Sequence, residues 1–255
     1  MTRMILPAGL GIGLLLCSLG AAAEAGAHVE RFYGYAYDLD SDRYIYTEVH
    51  EQHWQDGREQ TATIRYVDPD GNTLGEKFLD YRQDYFVPVY ELSLPDLDYE
   101  EGIRAAGEDI EMFMRDGDRQ KRKSIDKPES VTADSGFHHY LQAHFEELMA
   151  GETIKFTFVA AGNLGDYSFR AKRIDDSEFE GKPAVRFKVE AASLLRLVAP
   201  KLILSYDPDS QRLLEYRGPS NIQNPETGKV YDARIAFYST APSGVGKLPS
   251  LDTEQ

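Results

Sequence analysis

The chain has 255 residues, 42% hydrophobic and 11% aromatic, with a formal net charge of −15. That composition excludes a disordered chain. The excess of carboxylates argues against nucleic-acid binding and against electrostatic attachment to anionic lipid, both of which need clustered Lys and Arg.

The first segment reads as an export signal. Arg3 precedes an apolar run from Met4 to Leu19, and small residues follow at Gly20, Ala21, Ala22 and Ala23. This is the layout of a secretory signal peptide, and the run is shorter than the roughly 20 apolar residues of a membrane span. Residues 1–23 are expected to be removed; cleavage after Ala25 also satisfies the small-x-small rule. No later stretch resembles a membrane span. The mature chain is therefore expected to be exported and soluble, in the periplasm if the source has two membranes. Cys17, the one cysteine, follows Leu16, where a lipidation signal wants a small residue, and belongs to the discarded segment. The mature chain then has no disulfide and must rest on its core.

Residues 24–238 read as a single β-rich domain. Glu30 to Tyr37, Arg43 to Gln55, Thr61 to Val67 and Leu74 to Tyr81 alternate with the strand period of two. Asp56-Gly57 and Asp68-Pro69-Asp70-Gly71 supply turns between them. Pro88 and Pro95 argue against a central strand, so Asp84 to Glu101 reads as an extended connection. Strands follow at Asp109 to Arg115 and Arg119 to Asp126. The second carries the basic run RQKRK, which suits a solvated edge strand or a docking patch for an acidic partner.

Asp134 to Gly151 changes period. Phe137, Tyr140, Leu141, His144, Phe145 and Leu148 fall at i, i+3, i+4, i+7, i+8 and i+11, which predicts an amphipathic helix over 135–150. Asp134 or Ser135 can cap its start and Gly151 can end it. Strands resume at Thr153 to Ala161, Tyr167 to Ile174, Ala184 to Ala191, Lys201 to Tyr206, Arg212 to Arg217 and Val230 to Tyr238. Leu194 to Val198 suits a strand or a short helix. Arg217-Gly218-Pro219-Ser220-Asn221 reads as a turn that also offers polar tips to a ligand. The tail 239–255 is expected to be disordered.

The candidate metal sites fail on spacing. Asp38, Asp40 and Asp42 match the start of a calcium loop, but Arg43 and Val49 stand where the loop needs Gly and Glu. His50 and His53 lack one residue of the zinc-protease motif and fall on opposite faces of a strand. No nucleophile elbow, Walker loop or dinucleotide fingerprint is present. No catalytic residue, metal site or cofactor is assigned. His144, in the middle of the apolar stripe, is expected to be buried, either as a core histidine or as the polar floor of an apolar pocket.

The segments YTEVHEQH, YVDPDGNTLGEKFLDY, DSGFHHYL and YDPDSQRLLEYRGPSNI resemble a group of exported bacterial proteins with no assigned function, and the resemblance implies no activity. A looser architectural likeness is to the lipoprotein-carrier fold, a curved antiparallel sheet closed by helices around an apolar cavity. The expectation is a mainly β (α+β) fold: one curved antiparallel sheet or half-barrel of about ten strands, the helix on its concave face. The leading functional expectation is a non-enzymatic exported protein that binds an apolar or amphipathic ligand. Phe137, Tyr140, Leu141, His144, Phe145, Leu148 and Trp54 are its candidate pocket. A structural or protein-interaction module of the bacterial envelope is one alternative, its protein partner unspecified. A hydrolase whose site assembles only in three dimensions is another.

Overall fold

The computed structural model describes residues 26–192, 201–224 and 227–251. The expected signal peptide, Cys17 and the run at 194–198 lie outside the described residues. Among the described residues, fifteen strands form one sheet. They are β1 (Ala27–Asp38), β2 (Tyr44–Gln55), β3 (Arg58–Val67), β4 (Thr73–Asp80), β5 (Val89–Leu94), β6 (Tyr99–Ala106), β7 (Asp109–Asp116), β8 (Arg119–Asp126), β9 (Val131–Ala133), β10 (Thr153–Ala160), β11 (Gly165–Phe179), β12 (Lys182–Ala191), β13 (Leu202–Tyr206), β14 (Leu213–Gln223) and β15 (Val230–Ala236). Two short helices, α1 (Gly136–Ala143) and α2 (Phe145–Met149), lie between β9 and β10. The spatial order is β8-β7-β6-β5-β4-β3-β2-β1-β15-β14-β13-β12-β11-β10-β9. All neighbours are antiparallel except β9 and β10, which are parallel.

This order dictates the curvature. Strands β8 and β9 stand at opposite ends of the sheet, yet only residues 127–130 join them. Laid flat, fifteen strands would put those ends about 65 Å apart. The connection reaches about 17 Å at full extension. The sheet therefore has to curl until its ends approach each other. The β9 end lies inside the curl: Thr132 and Ala133 are fully buried, and the Ala133 N–H and the Thr132 hydroxyl both donate to the Phe86 carbonyl, each at 2.9 Å. The β8 end lies outside, with every residue but Ile125 exposed. That is the edge-strand reading of the basic run.

The inner face carries two clusters. Phe137, Tyr140, Leu141, Phe145 and Leu148 of the helices pack on Phe156, Val185, Phe187, Val189 and Leu204 of β10, β12 and β13. Residues of β1–β7, among them Ile64, Leu79, Leu92, Ile103 and Met112, pack with Val131, Ala133 and Val159 from the tucked-in end. Strand β10 thus serves both clusters, through Phe156 in the first and Val159 in the second.

The single sheet and its partner helix match the expected class, with corrections. The strand number is fifteen, not about ten. Pro88 stands one residue before β5, and Pro95 opens a short 3-10 turn between β5 and β6, so the prolines mark strand ends and do not exclude strands. Arg217 to Asn221 is no turn: it lies inside β14, where Pro219 falls at a register irregularity that spares the ladder. The helix breaks at His144 (φ −109°, ψ 21°). At its start the Asp134 carboxylate accepts the Ser135 N–H at 2.6 Å, and at its end Gly151 takes φ 88°. Gly136 has no room for a side chain, because a Cβ there would lie 2.3 Å from the Phe86 oxygen. The tail expected to be disordered lies back on the sheet over 239–251. Ser239 bonds Glu180, Gly246 packs on Pro69, and the Tyr33 hydroxyl donates to the Pro249 carbonyl.

Candidate functional site

The strand registers set polar side chains in rows on the inner face. Glu48 pairs with Tyr66 across β2 and β3, and Ile64 with Lys77 across β3 and β4, which places Glu48, Tyr66 and Lys77 on one side. Lys77 is 1% exposed, and its ammonium donates to both oxygens of Asp134 at 2.8 Å. Asp134 itself sits at φ 43°, a left-handed conformation that lets one carboxylate hold both Lys77 and the first turn of α1. Beyond it, Glu101 accepts hydrogen bonds from Tyr99 at 2.5 Å and Tyr90 at 3.1 Å. Burial pushes the Glu101 carboxyl above its usual range, against the opposing pull of the Tyr99 hydroxyl. Burial also lifts Tyr66, Tyr81 and Tyr90 well above the ordinary phenol range, so all three remain protonated.

Two buried histidines complete the row. His50 meets Glu48 at 2.9 Å. His139 places Nε2 3.0 Å from Glu59 and Nδ1 3.3 Å from the Gln142 side-chain oxygen, with its ring stacked 4.0 Å from Tyr85. Both residues of the His139–Glu59 pair are nearly inaccessible, at 4% and 1% exposed. Neither nitrogen of His139 faces a hydroxyl that would serve as a nucleophile. Among the described residues no group of three or more His, Cys, Asp or Glu is placed to hold a metal. Beside His139, His138 bonds the Tyr206 hydroxyl at 3.1 Å, and burial drives its imidazole down to about 3.

The structure divides the residues that the helical period singled out. Phe137, Tyr140, Leu141, Phe145 and Leu148 come together, but they interlock with the sheet: Phe145 meets Phe187 at 5.2 Å, and Tyr140 meets Phe156 at 5.4 Å. His144 is not the buried member of the stripe. It sits at the helix break, about a third exposed, 2.8 Å from the exposed Glu147. The break rotates α2 relative to α1, so the stripe passes His144 by. His139, which the period puts on the polar face, is the buried one, because the curl of the sheet brings β3 over that face. One sequence signal for the buried pairs did exist. Lys77 shares the inward strand phase with Leu79, and an inward lysine demands a carboxylate.

Trp54 lies elsewhere. It lines a depression of about 360 Å³ with His28, Val29, His53, Gln60 and Arg82 among others. None of the lining residues is acidic, although the chain has 43 carboxylates. Each of these basic side chains meets a carboxylate outside the lining: His28 meets Glu30 at 3.4 Å, His53 meets Glu51 at 2.8 Å and Arg82 meets Asp80 at 2.9 Å. Trp54 and His28 are stacked within 9° of parallel, ring centres 6.1 Å apart. The indole Nε1 of Trp54 and Nδ1 of His28 are buried without a hydrogen-bond partner. Such an orphan costs about 1–3 kcal/mol until something pairs with it. Glu59, which faces Trp54 across the ladder, also has one unpartnered oxygen. A second depression, of about 540 Å³, is lined by Asp42, Glu215, Arg217 and Arg234 among others, and its two arginines pair with Glu215 and Asp42.

No family model matches this chain, and no curated protein matches it. Among solved structures, the chain is similar to a beta-barrel-like protein of the domain of unknown function DUF1849 from Brucella abortus. The two share 6% identity over 85% of this chain and 100% of that one, with a TM-score of 0.41. A likeness at that level carries no functional assignment.

Proposed function

We propose that this protein is an exported, non-enzymatic binding protein that takes a small amphipathic ligand in the Trp54 depression. The observation that carries this reading is the contrast in how polar atoms are satisfied. In the interior, Lys77 bonds Asp134 and Tyr99 bonds Glu101, with the Tyr46 hydroxyl and one Glu59 oxygen left over, whereas His28 and Trp54, two residues that line one open depression, each keep a buried unpartnered nitrogen. Val29, 39% exposed, gives the same wall an apolar side. The space between helix and sheet, the first expectation for a pocket, is filled by interlocked rings.

Trp54 is the one tryptophan in the chain, so its emission reports on the depression alone. Organic extraction and mass spectrometry of the purified mature protein is expected to recover an amphipathic molecule, and adding that molecule back to stripped protein is expected to change Trp54 emission saturably. A recovered molecule that leaves the emission unchanged would place the site elsewhere. Export is tested by cell fractionation and by N-terminal sequencing of the mature protein, with a start after Ala23 or Ala25 expected.

The second reading is an interaction module of the envelope. It is supported by β8, where Arg119, Lys121, Arg122 and Lys123 form no ion pair among the described residues. Crosslinking in the native envelope, with and without Lys121→Glu and Lys123→Glu, tests it: a partner lost in the double variant supports it.

A further inference from the structure

We infer that β8 is a docking edge for an extended acidic segment of a partner protein, which adds to the sheet as a further strand. This rests on the second reading above, of β8 as an interacting edge.

The ladder decides which backbone groups are open. Strand β8 pairs with β7 alone. One position beyond the last pair, Asp109↔Asp126, the Lys127 N–H donates to the Glu108 carbonyl at 3.0 Å. In an antiparallel ladder, pairs that exchange both bonds alternate with pairs that exchange none. Counting back from Lys127, residues Ile125, Lys123, Lys121 and Arg119 bond to β7. Asp126, Ser124, Arg122 and Gln120 then turn their N–H and C=O groups outward. Among the described residues no other segment bonds those outward groups. The opposite end of the sheet does not fill them, because β9 pairs with β10 and is tied to the Phe86 carbonyl. An unpaired row of this kind is a template for another strand.

Charge selects the strand. In the pleat, Arg119, Lys121, Lys123 and Ile125 share one face and Arg122 stands on the other. Residues 119–123 hold four cations and no carboxylate. Arginines elsewhere in the sheet are held: Arg115 on β7 meets Glu100 at 2.8 Å, and Arg170 meets Glu190 at 2.5 Å. The cations of β8 form no ion pair among the described residues, although Asp116 stands opposite Arg119 in the ladder. Opposite charges across a ladder stabilise it and like charges destabilise it. A second copy paired about Arg122 would set Arg122 against itself and Lys121 against Lys123, so the run guards the edge against self-association. Against an acidic strand the same charges attract. Carboxylates at alternate positions meet Arg119, Lys121 and Lys123 in turn, with an apolar residue beside Ile125. The chain's net charge of −15 repels an acidic partner from the rest of the surface and focuses it on this edge.

The test follows the fluorescence anisotropy of a short labelled peptide that alternates Glu with Val, titrated with the whole mature protein at low salt. A peptide alternating Lys with Val is the control. The acidic peptide is expected to bind at least about tenfold more tightly than the basic one. Two changes are each expected to weaken it about tenfold. Lys121→Glu with Lys123→Glu reverses charge and keeps the backbone; Ser124→Pro keeps every charge and removes an outward N–H. Hydrogen exchange on the unaltered protein gives a readout that depends on neither variant folding. The peptide is expected to slow the outward amides of Arg122 and Ser124 more than those of Lys121 and Lys123, which β7 already holds. Binding without that protection overturns strand addition and leaves a charged patch. Equal binding of the basic peptide, or no binding of the acidic one, overturns the inference, while the interaction reading is decided separately by the crosslinking of the Lys121 and Lys123 variants.

Discussion

The two parts of the curled sheet solve the same burial problem by different chemistry. Under the helices, β10–β13 present Phe156, Phe187, Val189 and Leu204 to Phe145, Leu141 and Leu148, and stability there comes from area and fit. Across β2–β6 the inner face holds Lys77, Asp134, Glu101, Glu59 and His139 among its tyrosines, and stability there depends on every charge keeping its partner. An apolar wall tolerates loss in proportion to volume. A polar wall does not, because one deletion strands the remaining partner in a dry interior.

The largest expected effect breaks the polar wall. Asp134→Ala leaves the Lys77 ammonium buried and unpaired, and a loss of about 3–5 kcal/mol in urea unfolding is expected. Replacing both partners, Lys77→Met with Asp134→Leu, is expected to recover most of it. A double variant as unstable as the single one would show that the wall needs the charges themselves. Leu141→Ala, on the apolar wall, opens a cavity at a fully buried position. It is expected to cost about 2–5 kcal/mol.

Acid titration sharpens the comparison with smaller effects. The Glu101 carboxyl is raised above the unfolded value of 4.5. Its favourable contribution is therefore present below that value and lost as pH rises through the folded one. Glu101→Gln is expected to raise the urea midpoint at pH 7 and to lose that gain under acid. His138, on the apolar side, has the opposite sense. Its folded value of about 3 lies below the unfolded 6.5, so stability falls as pH drops through that window. His138→Gln is expected to flatten that part of the pH profile; an unchanged slope would remove His138 from the account. The smallest effect is expected at β8, where Arg122→Glu changes an exposed edge by less than about 0.5 kcal/mol.

These two walls differed in how far the sequence revealed them. The helical period of Phe137 to Leu148 identified the apolar wall directly, because repetition at 3.6 residues is a local property. Even there, His144 misled, since one residue of helix break at that point moves a side chain off the stripe. The polar wall was almost illegible. Glu59 and His139 meet at 3.0 Å across a distance of eighty positions, and only the curl brings them together. The missed strands β5, β6 and β9 have a similar cause. Two are bounded by prolines that act as punctuation, and β9 is three residues long, too short to show a period. Trp54 was singled out as an aromatic in a strand, but its neighbours Gln60 and Arg82 come from a bulge and a loop whose placement depends on register.

The seam between β1 and β15 has a kinetic meaning. Strand β1 pairs with β2 over Ala27–Tyr37, but with β15 only from Tyr35↔Ala236 to Asp38↔Ala233. On one side of the seam, β1–β8 form a run of successive hairpins; on the other, β10–β15 do the same. Each run has local contacts and can assemble quickly on its own, whereas the seam joins residues about 200 positions apart and has to wait for both. Refolding should therefore show two fast meanders and one slow closure. Native-state hydrogen exchange should find the short β1–β15 ladder opening before the ladders that flank it.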